Sequence, residues 1–174
     1  MNPSASRTDA GFTLIETLIA MLVLAGGFLA LAQAFALGLT SISSGTPHLI
    51  AREKAAEAIE GIYAARDSQL LDWDDLQNAS SGGVFLDDAR SLTEAGADSL
   101  VNTADDGDIE TIAMPGADGE LGTEDDEAQP LAQFTREIEI TGVSANLRRL
   151  RVIIRYQAGG SQEYVLETLI SAFA

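Results

Sequence analysis

The sequence predicts an α+β chain. A long N-terminal helix, transmembrane in its first half and amphipathic in its second, packs on a C-terminal antiparallel β-meander. Three patterns carry this prediction. From Thr17 to Leu39 the chain is apolar, with Gln33 its one strongly polar interruption. Between Leu49 and Arg66 apolar residues recur every three or four positions. Over the last forty or so residues, flagged by their period of two, apolar and charged side chains alternate.

The apolar run sets the first element. About 23 residues at roughly 1.5 Å rise reach about 34 Å, enough for a hydrocarbon core of about 30 Å. A cleaved secretory signal is an alternative, with Ala34 and Ala36 as an A-x-A-like pair, but the apolar region is too long for it. An uncleaved signal anchor accounts for everything except Gly11-Phe12 and Glu16. A carboxylate at the membrane end of such a run costs roughly 3 kcal/mol or more, which makes Glu16 a functional residue by default.

The second helical stretch follows a weak segment, Ser41 to Pro47, where Gly45 and Pro47 are expected to loosen or bend the helix. Beyond it Ala51, Ala55, Ala58, Ile62 and Ala65 form one face, and Arg52, Glu53, Glu57 and Glu60 occupy much of the other. Residues 12–66 are therefore expected to form one long, flexed helix, with Gly26-Gly27 a further weak point. Strands are predicted over Phe134–Gly142, Leu147–Tyr156 and Gln162–Ser171, with Gly159-Gly160 marking the last hairpin. Their charged face should pair Glu137 and Glu139 with Arg149, Arg151 and Arg155. On this account Leu147-Arg-Arg-Leu-Arg is a solvated strand face rather than an anion-binding patch.

Residues 11–16, Gly-Phe-Thr-Leu-Ile-Glu, and the apolar run behind them resemble the N-terminus of a type IV prepilin. The resemblance covers Gly11 to Lys54. It implies a pilin-like fold, leader removal between Gly11 and Phe12 by a prepilin peptidase, N-methylation of Phe12, and assembly of the helix into a filament with other pilin subunits. Glu16 would then meet the free α-amine of a neighbouring subunit. The corresponding organisation is a leader at 1–11, a transmembrane and assembly helix at 12–40, and a soluble domain at 41–174. That domain comprises the helix to 66, a long acidic loop region at 67–133 and the sheet at 134–171. Roughly 130 residues behind the anchor are the usual size of one domain. The leader carries Arg7 but also Asp9, so the charge bias placing it in the cytoplasm is small. No proline interrupts the apolar segment and there is no cysteine, two departures from many pilins, the second of which removes any disulfide from the C-terminal region.

The net charge is −17, and between Asp87 and Glu127 fourteen Asp or Glu stand against Arg90 alone. Such a surface repels nucleic acid and anionic lipid, so no nucleic-acid partner is expected. Within it, Leu70 to Trp73 and Val84 to Leu86 supply apolar anchors. The segment Pro115 to Asp126 (Pro-Gly-Ala-Asp-Gly-Glu-Leu-Gly-Thr-Glu-Asp-Asp) has the oxygen donors and glycines that a hard cation needs. It does not match the EF-hand pattern. It resembles the calcium loop of major pseudopilins from type II secretion systems. The resemblance implies Ca²⁺ held by Asp118 and by Asp125 or Asp126, with Glu120 as an additional ligand. Asn102 to Asp108 is a weaker second candidate.

Catalysis has little support. His48 is the single histidine and is expected on the surface, and there is no Gly-x-Ser-x-Gly elbow or phosphate-binding glycine loop. The expected function is that of a minor pilin-like structural subunit of a type IV pilus, of the pilus modification or assembly type, and not an enzyme. It would be processed at the bacterial inner membrane with its N-terminus cytoplasmic. It would then be handled by the inner-membrane pilus assembly machinery and displayed on the pilus at the cell surface. A type II secretion pseudopilin, in the periplasm, is the close alternative. A signal-anchored envelope binding protein or enzyme that never polymerises is the alternative of another class.

Overall fold

The structure, a computed structural model, describes residues 11–173. The leader assigned to 1–11 lies outside it except for Gly11. The chain divides into two compact units, Met1–Ile42 and Ser43–Ala174. One helix, α1 (Leu14–Asp67), runs through both.

In the first unit α1 is apolar and bare. Leu14–Gly38 spans 25 residues at a mean hydropathy of 2.3, with none of it buried within the protein. At about 1.5 Å per residue this is about 37 Å, long enough to cross a bilayer with some tilt. The helix starts at Leu14 rather than at Phe12, because Thr13 caps it, as described below.

In the second unit α1 supplies a buried stripe of Ala51, Ala55, Ala58, Ile59, Ile62 and Ala65. The predicted spacing is thus the packed face, and its small side chains let the helix lie close to what it covers. The loosening expected at 41–47 does not break α1, which stays helical through Pro47. Proline removes one backbone donor and crowds one turn, a local cost of about 3 kcal/mol that long flanking helices can absorb.

The stripe faces a four-stranded antiparallel sheet of order β1-β4-β5-β6, with β1 at Arg90–Ser91, β4 at Thr135–Ser144, β5 at Leu147–Gln157 and β6 at Ser161–Ser171. The last three strands are the predicted meander, with ends within two residues of those expected. Inward parity places Phe134, Ile138, Leu150, Val152, Ile154, Tyr156 and Ile170 in the same core as the α1 stripe. Outward parity carries the ion pairs: Arg155 to Glu137 at 2.6 Å, Arg151 to Glu139 at 2.8 Å, Arg155 to Glu163 at 3.1 Å and Arg149 to Glu167 at 3.2 Å. The charged residues of 147–155 therefore form a salt-bridged strand face, except Arg148. Arg148 lies 4.2 Å over the Trp73 ring and donates to the carbonyls of Trp73 and Leu76.

Residues 67–133 are more ordered than a loop. Leu71, Leu76, Phe85, Leu92, Leu100 and Leu131 enter the core. Where β1 ends, Asn78 substitutes for a strand partner along β4: its amide donates to the Ile138 carbonyl at 2.7 Å and accepts from the Ile140 N–H at 2.8 Å. Two further strands, β2 (Thr111–Met114) and β3 (Glu127–Pro130), pair antiparallel from Thr111↔Pro130 to Met114↔Glu127. They hold residues 115–126 as the loop of a hairpin.

Candidate functional site: the N-terminal segment and the acidic loops

Gly11, Phe12 and Thr13 precede the helix and are exposed, Phe12 to 82%. The Thr13 carbonyl accepts the first helical bond, from Thr17 N–H at 3.2 Å, while its Oγ1 accepts from the Glu16 N–H at 3.4 Å. Those two contacts define an N-cap, and Thr13 with Glu16 three positions on has the residue types of a capping box. Thr17 Oγ1 closes the turn by donating to the Leu14 carbonyl at 2.9 Å. Glu16 thus spends its backbone N–H on the cap. Among the described residues its carboxylate has no partner, and it stands exposed beside Leu14, Ile15 and Leu18.

The second candidate is the loop on the β2–β3 hairpin. Asp118 Oδ1 accepts from the Glu120 N–H at 2.9 Å, and Asp125 accepts from the Asp118 N–H at 3.3 Å and the Thr123 hydroxyl at 2.7 Å. Asp126 accepts from the Gly122 N–H at 2.6 Å. Gly119 and Gly122 take φ of +72° and +88°, and a Cβ on Gly116 would collide with the Asp125 carbonyl and carboxylate. The fold therefore brings Asp118, Asp125 and Asp126 into one turn system. Glu120 joins it through its backbone N–H and carbonyl. The donor set is all oxygen, as Ca²⁺ requires. Among the described residues, however, no three acidic or histidine side chains converge as a ready ligand group. The Asp125 carboxyl is held below the usual carboxylate range, chiefly by the Thr123 hydroxyl, with backbone N–H groups adding to it and desolvation opposing it.

The same turn system occurs twice. Gly96-Ala-Asp98 and Thr103-Ala-Asp-Asp106 repeat, twenty positions earlier, as Gly116-Ala-Asp118 and Thr123-Glu-Asp-Asp126. In the first copy Asp98 N–H donates to Asp105 at 3.3 Å, Leu100 N–H to Asp98 at 2.8 Å, Asn102 N–H to Asp106 at 2.8 Å, and Thr103 Oγ1 to Asp105 at 2.8 Å. Ser99 and Asn102 take the positive φ, 60° and 66°, that Gly119 and Gly122 take in the second. Thr103 likewise holds Asp105 below its usual range. The signal was in the sequence: Gly-Ala-Asp followed five residues later by Thr-x-Asp-Asp, twice. The 102–108 candidate caught only the end of the first copy.

A buried charge cluster anchors the base of the hairpin, and periodicity gave no hint of it. Glu110, 8% exposed at its side chain, meets Arg136 at 3.0 Å and Lys54 of α1 at 2.7 Å. Arg136, on the inward face of β4 between Phe134 and Ile138, is 1% exposed and also donates to the Thr93 carbonyl at 3.0 Å. The Lys54 contact is an ion pair rather than a well-aimed hydrogen bond. Burial disfavours the Lys54 ammonium, but Glu110 and Glu57 together outweigh it and raise its pKa. His48, exposed as expected, nonetheless has Nδ1 3.0 Å from the Tyr156 hydroxyl and its ring edge-on to Tyr164.

No curated protein and no solved structure matches this chain. The prokaryotic N-terminal methylation motif matches residues 6–31. That match covers Gly11, Phe12, the capped helix start and Glu16, and together with the bare apolar helix Leu14–Gly38 it supports a type IV prepilin-like N-terminus.

Proposed function

We propose that this chain is a minor pilin-like structural subunit of a type IV pilus. Prepilin peptidase cleaves it between Gly11 and Phe12, the new Phe12 amine is methylated, and the mature helix packs with other pilin subunits into a filament. Before assembly the chain sits once through the inner membrane with its N-terminus in the cytoplasm, and there the assembly machinery engages it. The single observation that supports this most is the Glu16 carboxylate, without a partner among the described residues, at the start of the exposed apolar segment Leu14–Gly38, within the methylation motif. In a low-dielectric bundle that charge costs several kcal/mol unless a cation meets it, and a neighbouring subunit's N-terminal ammonium supplies one. The pairing selects the axial register between subunits.

Mass spectrometry of the membrane-extracted protein and of sheared filaments tests the proposal. A mature chain beginning with methylated Phe12 is expected, and Glu16→Ala should be cleaved and inserted yet missing from filaments. A chain still beginning at Met1, or Glu16→Ala present in filaments at wild-type amounts, overturns it.

A type II secretion pseudopilin is the second reading, supported by the loop at 115–126. In either system we propose that Ca²⁺ engages this loop through Asp118, Asp125 and Asp126, neutralising carboxylates that repel one another and ordering a loop that has no disulfide.

A further inference from the structure

We propose that Thr13 is a positioning residue for leader removal: its N-cap fixes where α1 begins and so holds the Gly11–Phe12 peptide bond outside the helix, available to the peptidase. The proposal rests on the processing just described. Cleavage adds water across the Gly11–Phe12 amide, giving a Gly11 carboxylate and a Phe12 ammonium. An amide inside a helix has its carbonyl hydrogen-bonded and its faces covered by neighbouring turns, so a peptidase must first unwind it.

Residues 11–13 are non-helical, and α1 begins only at Leu14. The contacts that set this boundary are Thr13 Oγ1 with the Glu16 N–H and the Thr13 carbonyl with the Thr17 N–H. Both lie on the mature side of the cut, so the cap exists before cleavage and survives it. Upstream, Thr8 and Asp9 are also good N-capping residue types. Without the Thr13 oxygen, the helix gains by starting at one of them, which draws Gly11 and Phe12 into its first turns. The Thr13 hydroxyl thereby biases an equilibrium between a start that exposes the scissile bond and a start that hides it.

Such an equilibrium has a kinetic signature. Only the exposed fraction binds productively, so apparent KM rises as that fraction falls while kcat is unchanged. A lost N-cap typically corresponds to roughly a five-fold change in the equilibrium.

The test uses the full chain in non-ionic detergent with a prepilin peptidase, comparing wild type, Thr13→Val and Thr13→Ser. Thr13→Val should raise apparent KM, by at most about five-fold, at unchanged kcat. Thr13→Ser, which keeps the oxygen and loses the methyl group, should cut like wild type. Carbon chemical shifts of Gly11 and Phe12 should move to helical values in Thr13→Val alone. Wild-type KM for Thr13→Val, a Thr13→Ser variant as slow as Thr13→Val, or unmoved Phe12 shifts would overturn the proposal while leaving the processing intact. A wild-type chain not cut between Gly11 and Phe12 would overturn both.

Discussion

Replacing Glu110 by Gln should be among the most damaging conservative changes in the second unit. The glutamate side chain is 8% exposed and joins two cations, Lys54 at 2.7 Å and Arg136 at 3.0 Å, whose own side chains are 16% and 2% exposed. Glutamine keeps the volume but leaves the buried Arg136 without a counter-charge and Lys54 with the exposed Glu57 alone, at 2.7 Å. Removing one partner of a buried pair costs about 3–5 kcal/mol, because the remaining charge has neither water nor a partner. A domain is stable by only about 5–15 kcal/mol in total, so a large share would go. At about 3 °C per kcal/mol for a unit of this size, the melting temperature should fall by about 9–15 °C. Urea unfolding of the full chain in detergent, followed by circular dichroism and by the fluorescence of Trp73, the sole tryptophan, measures this. Combining Lys54→Met, Glu110→Leu and Arg136→Met should recover much of the loss, since apolar replacements of similar volume restore packing without buried charge. A Glu110→Gln loss below about 1 kcal/mol would refute the reasoning, because a penalty that small belongs to a hydrated surface pair.

Millimolar Ca²⁺ should raise the melting temperature of the full chain in detergent, Mg²⁺ should do less, and Asp118→Ala should remove most of the rise. Calorimetry without binding, together with a melting curve unmoved by Ca²⁺ or EGTA, would make the loop a solvated surface. Because the Asp125 carboxyl is depressed in the folded chain, the stability that loop closure contributes is present above the ordinary value of 3.8 and is lost as pH falls through the lower folded value. Thr123→Val removes the largest cause of that depression, so the Asp125 midpoint in a carbon-detected NMR titration should rise toward 3.8 while Asp105, held by Thr103, stays put. An unchanged Asp125 midpoint would show that the hydroxyl is not responsible.

The sequence by itself determined the long-range plan wherever a side-chain period repeats over many residues. An apolar run of membrane length, the stripe Ala51 to Ala65 and the alternation over β4, β5 and β6 each average over local accidents, and each element formed where the period placed it. It also marked Gly11, Phe12 and Glu16, because a lone carboxylate beside an apolar span is costly wherever the chain folds. The start of α1 at Leu14 was equally local, written in Thr13-Leu-Ile-Glu16, although a helix beginning at residue 12 was expected. The tertiary structure decided what the non-repeating middle of the chain does. Strands of two and four residues leave no period to detect: β1 depends on the longer β4 for its partner, and β2 and β3 on each other. Arg136 follows the inward parity of β4, but its burial depended on Glu110, 26 positions away, and Lys54 on the helix, which only folding brings within 3.0 Å of that carboxylate. The acidic loops lie between these cases: their oxygen-rich residue types and their repeated spacing are legible, while the inward turn of Asp118, Asp125 and Asp126 onto the loop's own N–H groups is a property of backbone dihedrals that composition does not encode.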